Sequence, residues 1–278
     1  MFDPAHAGCC FNRLSLLDSR PRMRHQSQMH FILRHGWRVV ASAALFLAVL
    51  NSPAAERTGT TRPAAQLPPT PSLPALATNA LPFEKEILAF EAADATSPPP
   101  PGAVLFIGSS SIRLWKTLAA DFPNQRVLNR GFGGSQIIDS VRYAKRVVIP
   151  YKPRLIILSA GGNDINAGKT PEQVFTDYQR FVTRVRADLP ETRIAYVSIA
   201  PNPARWAQVD RVRAANSLIE AHTRTDARLA FIDVFPKMLG ANGEPLPDIY
   251  VADRLHMNAK GYELWRGIVG PILEKWPK

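Results

Sequence analysis

Two short segments carry residue types that together perform acyl-transfer chemistry. Near the carboxyl end, Asp253 precedes His256 by three positions, so a turn can bring its carboxylate onto one imidazole nitrogen. The second imidazole nitrogen is then free to accept a proton from a nucleophile. Far upstream, Ser110 lies in a run of three serines that follows Gly108 at the end of an apolar stretch. This combination indicates a serine hydrolase.

Elimination favours His256 as the general base. Four of the six histidines fall within the first 55 residues, which leaves His222 and His256. His222 lies near the end of a predicted helix, where a histidine commonly interacts with the helix dipole, so we expect it at the surface and outside the chemistry. His256 differs because Asp253 is near and Asn258 begins a predicted helix directly behind it.

The three serines also have a purely structural interpretation. Serine is a favoured helix N-cap, and Ser109, Ser110 or Ser111 could serve only to cap the following helix. The nucleophile-elbow pattern G-x-S-x-G is not matched, because Ile112 stands in place of its second glycine. If Ser110 is the nucleophile, it lies at a helix N-terminus, where unpaired amides favour negative charge.

Apolar runs alternate with amphipathic stretches along the rest of the chain. Strands are predicted at 103–107, 126–129, 155–158, 194–197 and 229–232. Helices are predicted from 112 onwards, at 136–148, from 170, at 204–223 and from 258 to about 276. Alternating strands and helices predict a parallel sheet covered on both faces. The unusual glycine-rich and polar segments fall at the carboxyl ends of the strands, where such folds place their sites.

Two of these strand-end segments could bind a developing negative charge. Residues 131–134 read Gly-Phe-Gly-Gly, and their bare amides suit an oxyanion, although a plain tight turn explains them equally well. A dinucleotide fingerprint is not matched, since Gln136 replaces its third glycine. Asn163 could donate from its side chain to the same oxyanion, or it could only stabilise a turn. We expect Asp164 to stabilise that loop.

Composition divides the chain into three parts. Residues 1–55 are predicted to be a leader with a signal peptide or signal anchor, residues 56–83 a proline-rich linker, and residues 84–278 one hydrolase domain. The roughly 195 residues of the last part suffice for one well-buried core. A second proline run at 98–101 is expected to be extended and poorly packed.

The leader predicts export. Its apolar stretch, residues 39–50, is shorter than the roughly 20 residues of a bilayer span and resembles a secretory h-region. Arg34 and Arg38 precede this stretch, and cleavage is expected near Ala54 or Ala55. We therefore expect a periplasmic or secreted protein, with anchoring by an uncleaved leader as the alternative.

Charge and cysteine content exclude several other classes. Both cysteines, Cys9 and Cys10, lie in the leader, so the predicted domain has no disulfide and no thiolate. The two remaining histidines are too few for a histidine-rich zinc site, and no cofactor is expected. The net charge of +11 is spread singly along the helices, which indicates a solvated basic surface rather than a nucleic-acid partner.

Taken together, the segments resemble the SGNH, or GDSL-type, hydrolases. The similarity rests on four ordered blocks, which are Gly108-Ser109-Ser110, Gly134, Gly161-Gly162-Asn163-Asp164 and Asp253-x-x-His256. It covers about residues 84–276, almost the whole predicted domain. The resemblance implies a flavodoxin-like three-layer α/β sandwich, with helices on both faces of a five-stranded parallel sheet of order 2-1-3-4-5.

Carried over by position, the resemblance implies a catalytic triad. Ser110 would be the nucleophile, His256 the general base and Asp253 the carboxylate that orients it. The sequence departs from the family at Ser109, which replaces the aspartate of the name-giving motif. That change puts the loop geometry in question rather than the activity.

The resemblance also implies an oxyanion hole. Its donors would be the amide of Ser110, the amide of Gly134 and the side chain of Asn163. Gly133 is the alternative if the glycine register is shifted by one.

These features predict an exported serine esterase for short, acetyl-type esters, with carbohydrate as a candidate alcohol. The chain has no long apolar lid segment, which favours short acyl groups, and the loop at 236–250 is expected to shape the pocket. One alternative is a lysophospholipase or thioesterase with a preference for longer acyl chains. Another is a non-catalytic carbohydrate-binding module on a hydrolase scaffold. The expected partner is a small-molecule or glycan ester, with membrane contact only through an uncleaved leader.

Overall fold

The computed structural model describes residues 81–276. The predicted leader, its cleavage site and most of the predicted linker lie outside these residues. The predictions made for those segments therefore stay predictions. Between residues 81 and 276, no helix combines the length and the apolar character needed to cross a bilayer.

A five-stranded parallel sheet forms the centre of the described region. Its order, β2-β1-β3-β4-β5, confirms the predicted order. The strands are β1 (Val104–Gly108), β2 (Val127–Gly131), β3 (Leu155–Ser159), β4 (Arg193–Val197) and β5 (Leu229–Ile232). Gly108 pairs with Gly131 on one side and with Ser159 on the other, so the carboxyl ends of three adjacent strands are level.

Helices connect the strands and cover both faces of the sheet. They are α1 (Glu84–Thr96), α2 (Ser110–Arg113), α3 (Leu118–Asp121), α4 (Ile137–Val147), α5 (Gly162–Asn166), α6 (Pro171–Asp188), α7 (Val209–Thr223) and α8 (Ala259–Lys275). Short 3-10 segments lie at Ile149–Tyr151, Pro203–Gln208, Pro236–Met238 and Pro247–Ile249. The predicted three-layer α/β architecture is confirmed.

Each face of the sheet has its own apolar core. Along β1, Leu105 and Ile107 belong to one core, while Val104 and Phe106 belong to the other. The first core is closed by α1, α4, α6 and α7, and the second by α2, α3 and α8. Because side chains alternate across a strand, a strand that is covered on both sides must be apolar at every position, as β1 is.

Two predicted helices differ from the structure. The sequence predicts a helix from residue 112 onwards, whereas α2 ends at Arg113 and a separate turn of helix, α3, follows. Between them the Trp115 ring is buried and its indole donates to Asp121 at 2.6 Å, which breaks the run. The predicted helix at 204–223 begins as a 3-10 segment, because Arg205 has non-helical φ and ψ of −125° and 23°.

Helix α1 packs against α4 through both apolar and charged contacts. Ile87 is fully buried, and Arg146 of α4 pairs with Glu84 and Glu91, each at 2.7 Å. The proline run at 98–101 that follows α1 is largely exposed. The predicted boundary between linker and domain stays a prediction, since most of the linker lies outside the described residues.

Candidate active site

Ser110 lies where β1 ends and α2 begins. Gly108 has a φ of +142°, and a Cβ at this position would lie 1.9 Å from the carbonyl oxygen of Ser159. Glycine therefore lets β1 and β3 end side by side. The amide of Ser109 donates to the same carbonyl at 3.0 Å. Ser109 holds the N-cap position of α2 but makes no capping bond with its side chain, so the simple capping interpretation fails for this serine.

A compact turn places Asp253 against His256. The Asp253 carboxylate accepts hydrogen bonds from the backbone amides of Leu255 and His256, both at 2.9 Å. Arg254 has a φ of +59°, in the left-handed region, which allows the chain to fold back within so few residues. These are bonds between near neighbours, so the turn is shaped locally.

His256 connects this turn to the serine. Its Nδ1 lies 2.6 Å from Oδ2 of Asp253, and its Nε2 lies 3.0 Å from Oγ of Ser110. Hydrogen bonds from the backbone and side chain of His256 lower the pKa of Asp253 to about 2. The carboxylate is therefore ionised at neutral pH and can accept from Nδ1–H. Nε2 is then the acceptor that faces the hydroxyl, an arrangement suited to removing its proton.

The loop after β2 brings glycine amides to the same pocket. The amide of Phe132 donates to the carbonyl of Gly108 at 3.0 Å, which ties this loop to the end of β1. Gly134 has a φ of +86° and lines the pocket beside Ser110, whereas Gly133 is not part of the lining. Within residues 81–276, the amides of Ser110 and Gly134 donate to no protein acceptor. Both amides are thus available to a bound oxyanion.

Asn163 enters the pocket from α5, directly after β3. Gly161 has a φ of +114°, and a Cβ there would lie 2.8 Å from both Ile199 and the Tyr196 hydroxyl, so a side chain would be strained and would force these neighbours to shift. Nδ2 of Asn163 donates to the carbonyl of Ser135 at 3.0 Å. A carboxamide nitrogen carries two hydrogens, so one remains for a further acceptor.

Asp164 stabilises the neighbouring backbone. Its carboxylate is fully buried and accepts from the amide of Ile137, at the start of α4, and from Nζ of Lys169 at 2.8 Å. Lys169 also pairs with Asp177 of α6 at 2.7 Å. Burial raises the pKa of Asp164, while the hydrogen bond from Lys169 opposes that rise. The contacts give Asp164 the structural role that the sequence predicts.

The predicted site residues meet at one cavity of about 270 Å³ at the carboxyl ends of the strands. Ser110, Gly134, Asn163 and His256 line it, and Asp253 lies behind His256. No Asp or Glu of the described residues is part of this lining. Nowhere between residues 81 and 276 do three His, Cys, Asp or Glu side chains group as metal ligands.

Two arginines in the pocket lining are missed by sequence reasoning. Arg113 is exposed and its side chain makes no hydrogen bond or ion pair with the described residues. Arg205 is half-buried and donates through Nη1 to Oδ1 of Asn163 at 3.0 Å and to the carbonyl of Gly162 at 3.2 Å. Arg205 follows the carboxyl end of β4, so the strand-end argument applied to this loop could have found it.

The remaining sequence predictions have mixed outcomes. His222 is not a surface side chain, because it is half-buried and its ring packs against Phe175 and Tyr178, with centroids 5.6 and 5.7 Å apart. It lies in the last turn of α7, which leads to the amino end of β5. Of the loop at 236–250, only Met238 and Tyr250 line the pocket.

Solved structures share this fold at low sequence identity. A GDSL-like lipase from Bacteroides thetaiotaomicron superposes with a TM-score of 0.58 at 20% identity, over 68% of this chain and 97% of that one. A Bacteroides fragilis protein provisionally described as an acylhydrolase gives 0.58 at 22%, over 68% and 96%. An acetyl-xylooligosaccharide esterase from Geobacillus gives 0.51 at 15%, over 65% and 98%. No curated protein matches the chain in sequence.

The family relationship follows from the sequence match. The model of the GDSL-like Lipase/Acylhydrolase family matches residues 108–264, more than half of the chain. That range begins at the glycine before the serine run and includes the Asp253-to-His256 turn. The chain therefore belongs to the GDSL-like lipase/acylhydrolase family, and it is a carboxylic ester hydrolase.

Proposed function

We propose that the protein is an exported serine esterase that removes short, acetyl-type acyl groups from carbohydrate esters. The observation that carries the proposal is the hydrogen-bonded series Ser110–His256–Asp253 at the mouth of a small pocket. Each contact lies within the range in which a base can take a proton from a nucleophile.

The reaction proceeds in two steps. Oγ of Ser110 attacks the ester carbonyl carbon while Nε2 of His256 takes the hydroxyl proton. The tetrahedral intermediate collapses, the bond to the alcohol oxygen breaks, and His256 returns the proton to that oxygen. Water then attacks the acyl-enzyme, again losing a proton to His256, and the acid leaves Ser110. Asp253 holds the imidazole in the required tautomer and stabilises the imidazolium.

Three donors stabilise the negative charge that forms on the carbonyl oxygen. They are the amides of Ser110 and Gly134 and the second Nδ2 hydrogen of Asn163. The two amides are available because they have no acceptor among the described residues. Loss of a single donor of this kind typically lowers kcat by about 10²- to 10³-fold.

The size of the pocket supports a short acyl group. At about 270 Å³ it is smaller than the roughly 300 to 1,000 Å³ of most ligand pockets. Ile199, Met238 and Trp265 supply apolar surface to its walls, against which a short acyl group can pack. An acetyl or similarly short group therefore fits best.

A neighbouring cavity supports a carbohydrate as the alcohol. This second cavity, of about 420 Å³, shares Met257 with the catalytic pocket. Thr117 and Asp121 line it and can hydrogen-bond to sugar hydroxyls, since only Oδ2 of Asp121 accepts bonds from the described residues. One fold neighbour is itself an acetyl-xylooligosaccharide esterase. Export is supported by the leader sequence, and the sequenced N-terminus of the mature protein would test cleavage near Ala54 or Ala55.

A labelling experiment tests the triad. We expect Ser110→Ala to abolish hydrolysis of a short aryl ester, and a fluorophosphonate to label folded wild-type protein at Ser110 only. His222→Ala is the matched control for His256→Ala, and should leave kcat almost unchanged. Substantial turnover by Ser110→Ala would disprove the mechanism. Failure to label Ser110 would favour a non-catalytic carbohydrate-binding module.

A second candidate, a lysophospholipase or thioesterase, is favoured by the charge of the pocket. Arg113 and Arg205 line it without any carboxylate, and could contact a phosphate on the leaving group. Rates on acetyl, octanoyl and palmitoyl esters separate the two candidates. A preference for palmitoyl, with inhibition by inorganic phosphate, would support the second candidate.

A further inference from the structure

Arg205 and Asn163 form a contact that the catalytic mechanism leaves unexplained. We propose that Arg205 is a positioning residue, which fixes the end of the Asn163 carboxamide that faces the substrate oxyanion. The inference rests on the proposed function, in which Asn163 is an oxyanion donor. It assigns a role to the loop after β4, which none of the four sequence blocks includes.

A carboxamide has two ends of similar shape and opposite hydrogen-bonding character. If the Asn163 side chain turned over, its oxygen would take the place of its NH₂ group, and an oxyanion would meet a lone pair instead of a donor. The Asn163 orientation therefore decides whether it stabilises or opposes the transition state.

The two neighbours of Asn163 allow one orientation. Arg205 donates through Nη1 to Oδ1 at 3.0 Å, and the Ser135 carbonyl accepts from Nδ2 at 3.0 Å. A guanidinium can only donate and a carbonyl can only accept, so a reversed carboxamide would lose both bonds. Because the guanidinium is charged, its bond to Oδ1 is the stronger of the two.

Backbone hydrogen bonds anchor the segment that carries Arg205. The amide of Arg205 donates to Oδ1 of Asn202 at 2.9 Å, and the amide of Ala204 donates to the carbonyl of Arg254 at 3.1 Å. The same Nη1 also contacts the carbonyl of Gly162 at 3.2 Å. Burial lowers the pKa of Arg205. Arg205 forms no ion pair with the part of the chain that the structure describes.

A double-mutant cycle on purified, folded protein tests the proposal. The variants are Arg205→Met, Asn163→Ala and the combination, assayed with a neutral short aryl acetate. Arg205→Met should lower kcat by about 10- to 100-fold, which does not exceed the loss in kcat expected on removal of one oxyanion donor. KM should stay within about twofold of the wild-type value. In the Asn163→Ala background the same change should alter kcat by less than about twofold. Losses that multiply would overturn the proposal, since Arg205 would then act independently of Asn163.

Two further variants separate positioning from folding and from charge. Arg213→Met is the matched control, since Arg213 lies over the rings of Trp206 and Phe235 rather than at Asn163, and it should retain kcat. Arg205→Lys keeps a donating cation, so kcat should lie between those of wild type and Arg205→Met. If Arg205→Met does not fold, Arg205→Lys in both backgrounds completes the cycle. If Arg205→Lys lowered kcat by the same factor in the wild-type and the Asn163→Ala backgrounds, the proposal would be contradicted.

The outcomes distinguish this inference from the proposed function. If the Ser110→Ala variant is active, the proposed triad mechanism is wrong. If Ser110→Ala is inactive but Asn163→Ala is fully active, the oxyanion role of Asn163 fails, and with it the role of Arg205. If Ser110→Ala and Asn163→Ala both lose activity while Arg205→Met retains the wild-type kcat, only the inference on Arg205 is wrong.

Discussion

The pocket has a serine side, formed by the strand ends that carry Ser110 and Asp164, and a histidine side, formed by the turn from Asp253 to His256. Different kinds of contact hold the two sides. On the serine side, β1 and β3 end so close together that a Cβ on Gly108 would lie 1.9 Å from the Ser159 carbonyl oxygen. The Asp164 carboxylate on this side is fully buried. On the histidine side, the side chains of Asp253 and His256 are 47% and 29% exposed. This turn is held by its own short-range bonds and by a bridge between Tyr250 and Met257.

The difference separates stability from activity. The serine side is part of the sheet, so a change there disturbs close packing that the whole domain depends on. The histidine turn is partly exposed, so under the proposed mechanism a change there should alter proton transfer and leave the core intact. The loop after β4 contacts both sides. Arg205 holds Asn163 on the serine side. On the histidine side, the amide of Ala204 donates to the carbonyl of Arg254, and the Tyr250 hydroxyl donates to the carbonyl of Pro201.

The largest effect is expected on the histidine side, from Asp253→Asn. The new amide would donate to Nδ1 and so stabilise the wrong imidazole tautomer, which should lower kcat by about 10⁴-fold. Esterase kinetics and thermal unfolding of the same preparation measure both properties. The melting temperature should change little, because the asparagine oxygen still accepts from Leu255 and His256. Loss of folding would contradict the proposed separation.

On the serine side, Gly108→Ala should destabilise the fold by about 3 kcal/mol and remove activity as well, because the added Cβ collides with a backbone carbonyl at a strained φ. Urea unfolding measures the change. The matched control is Gly267→Ala in α8, where a Cβ meets nothing within 4 Å. There the better helix propensity should add about 0.5 to 1 kcal/mol. Similar effects at both glycines would show that close packing at Gly108 does not matter.

Asp164→Asn should destabilise the domain by about 2 kcal/mol, because Lys169 loses one of its two carboxylates and a buried bond weakens. The loss is smaller than for a fully broken buried pair, since Asp177 remains with Lys169. Asp188→Asn provides the comparison, because its pair with Arg184 is partly exposed and should contribute less than about 0.5 kcal/mol. Urea unfolding measures the loss of unfolding free energy in both variants. Equal losses would contradict the argument that burial makes the Asp164 contacts stronger.

The smallest effect concerns pH. Folding lowers the pKa of Asp253 from 3.8 to about 2, so its contribution to stability is complete above that range and is lost as the pH falls from about 4 towards 2. Solvent screening of this exposed carboxylate makes the contribution small. The difference in unfolding free energy between wild type and Asp253→Asn should be larger at pH 6 than at pH 3. A difference that grows on acidification would have the wrong sign.

Much of the fold could be read from local sequence patterns. The five apolar runs predict the strands to within about two residues at each end, the usual uncertainty of such assignments. The capping pair Thr170 and Pro171 marks the start of α6. The patterns failed where tertiary contacts compete with helix propensity, as at Trp115, whose burial ends the short helix after β1, and at Arg205, which interrupts the predicted helix before β5.

The sequence by itself determined the order of the elements and the turn that brings Asp253 to His256, because both depend on neighbours only a few residues apart. The tertiary structure alone decided that Nε2 of His256 lies 3.0 Å from Ser110, that Gly134 rather than Gly133 lines the pocket, and that Arg205 holds Asn163. These contacts join residues on different strand ends. Their geometry follows from how the whole sheet and its helices pack, which no local pattern encodes.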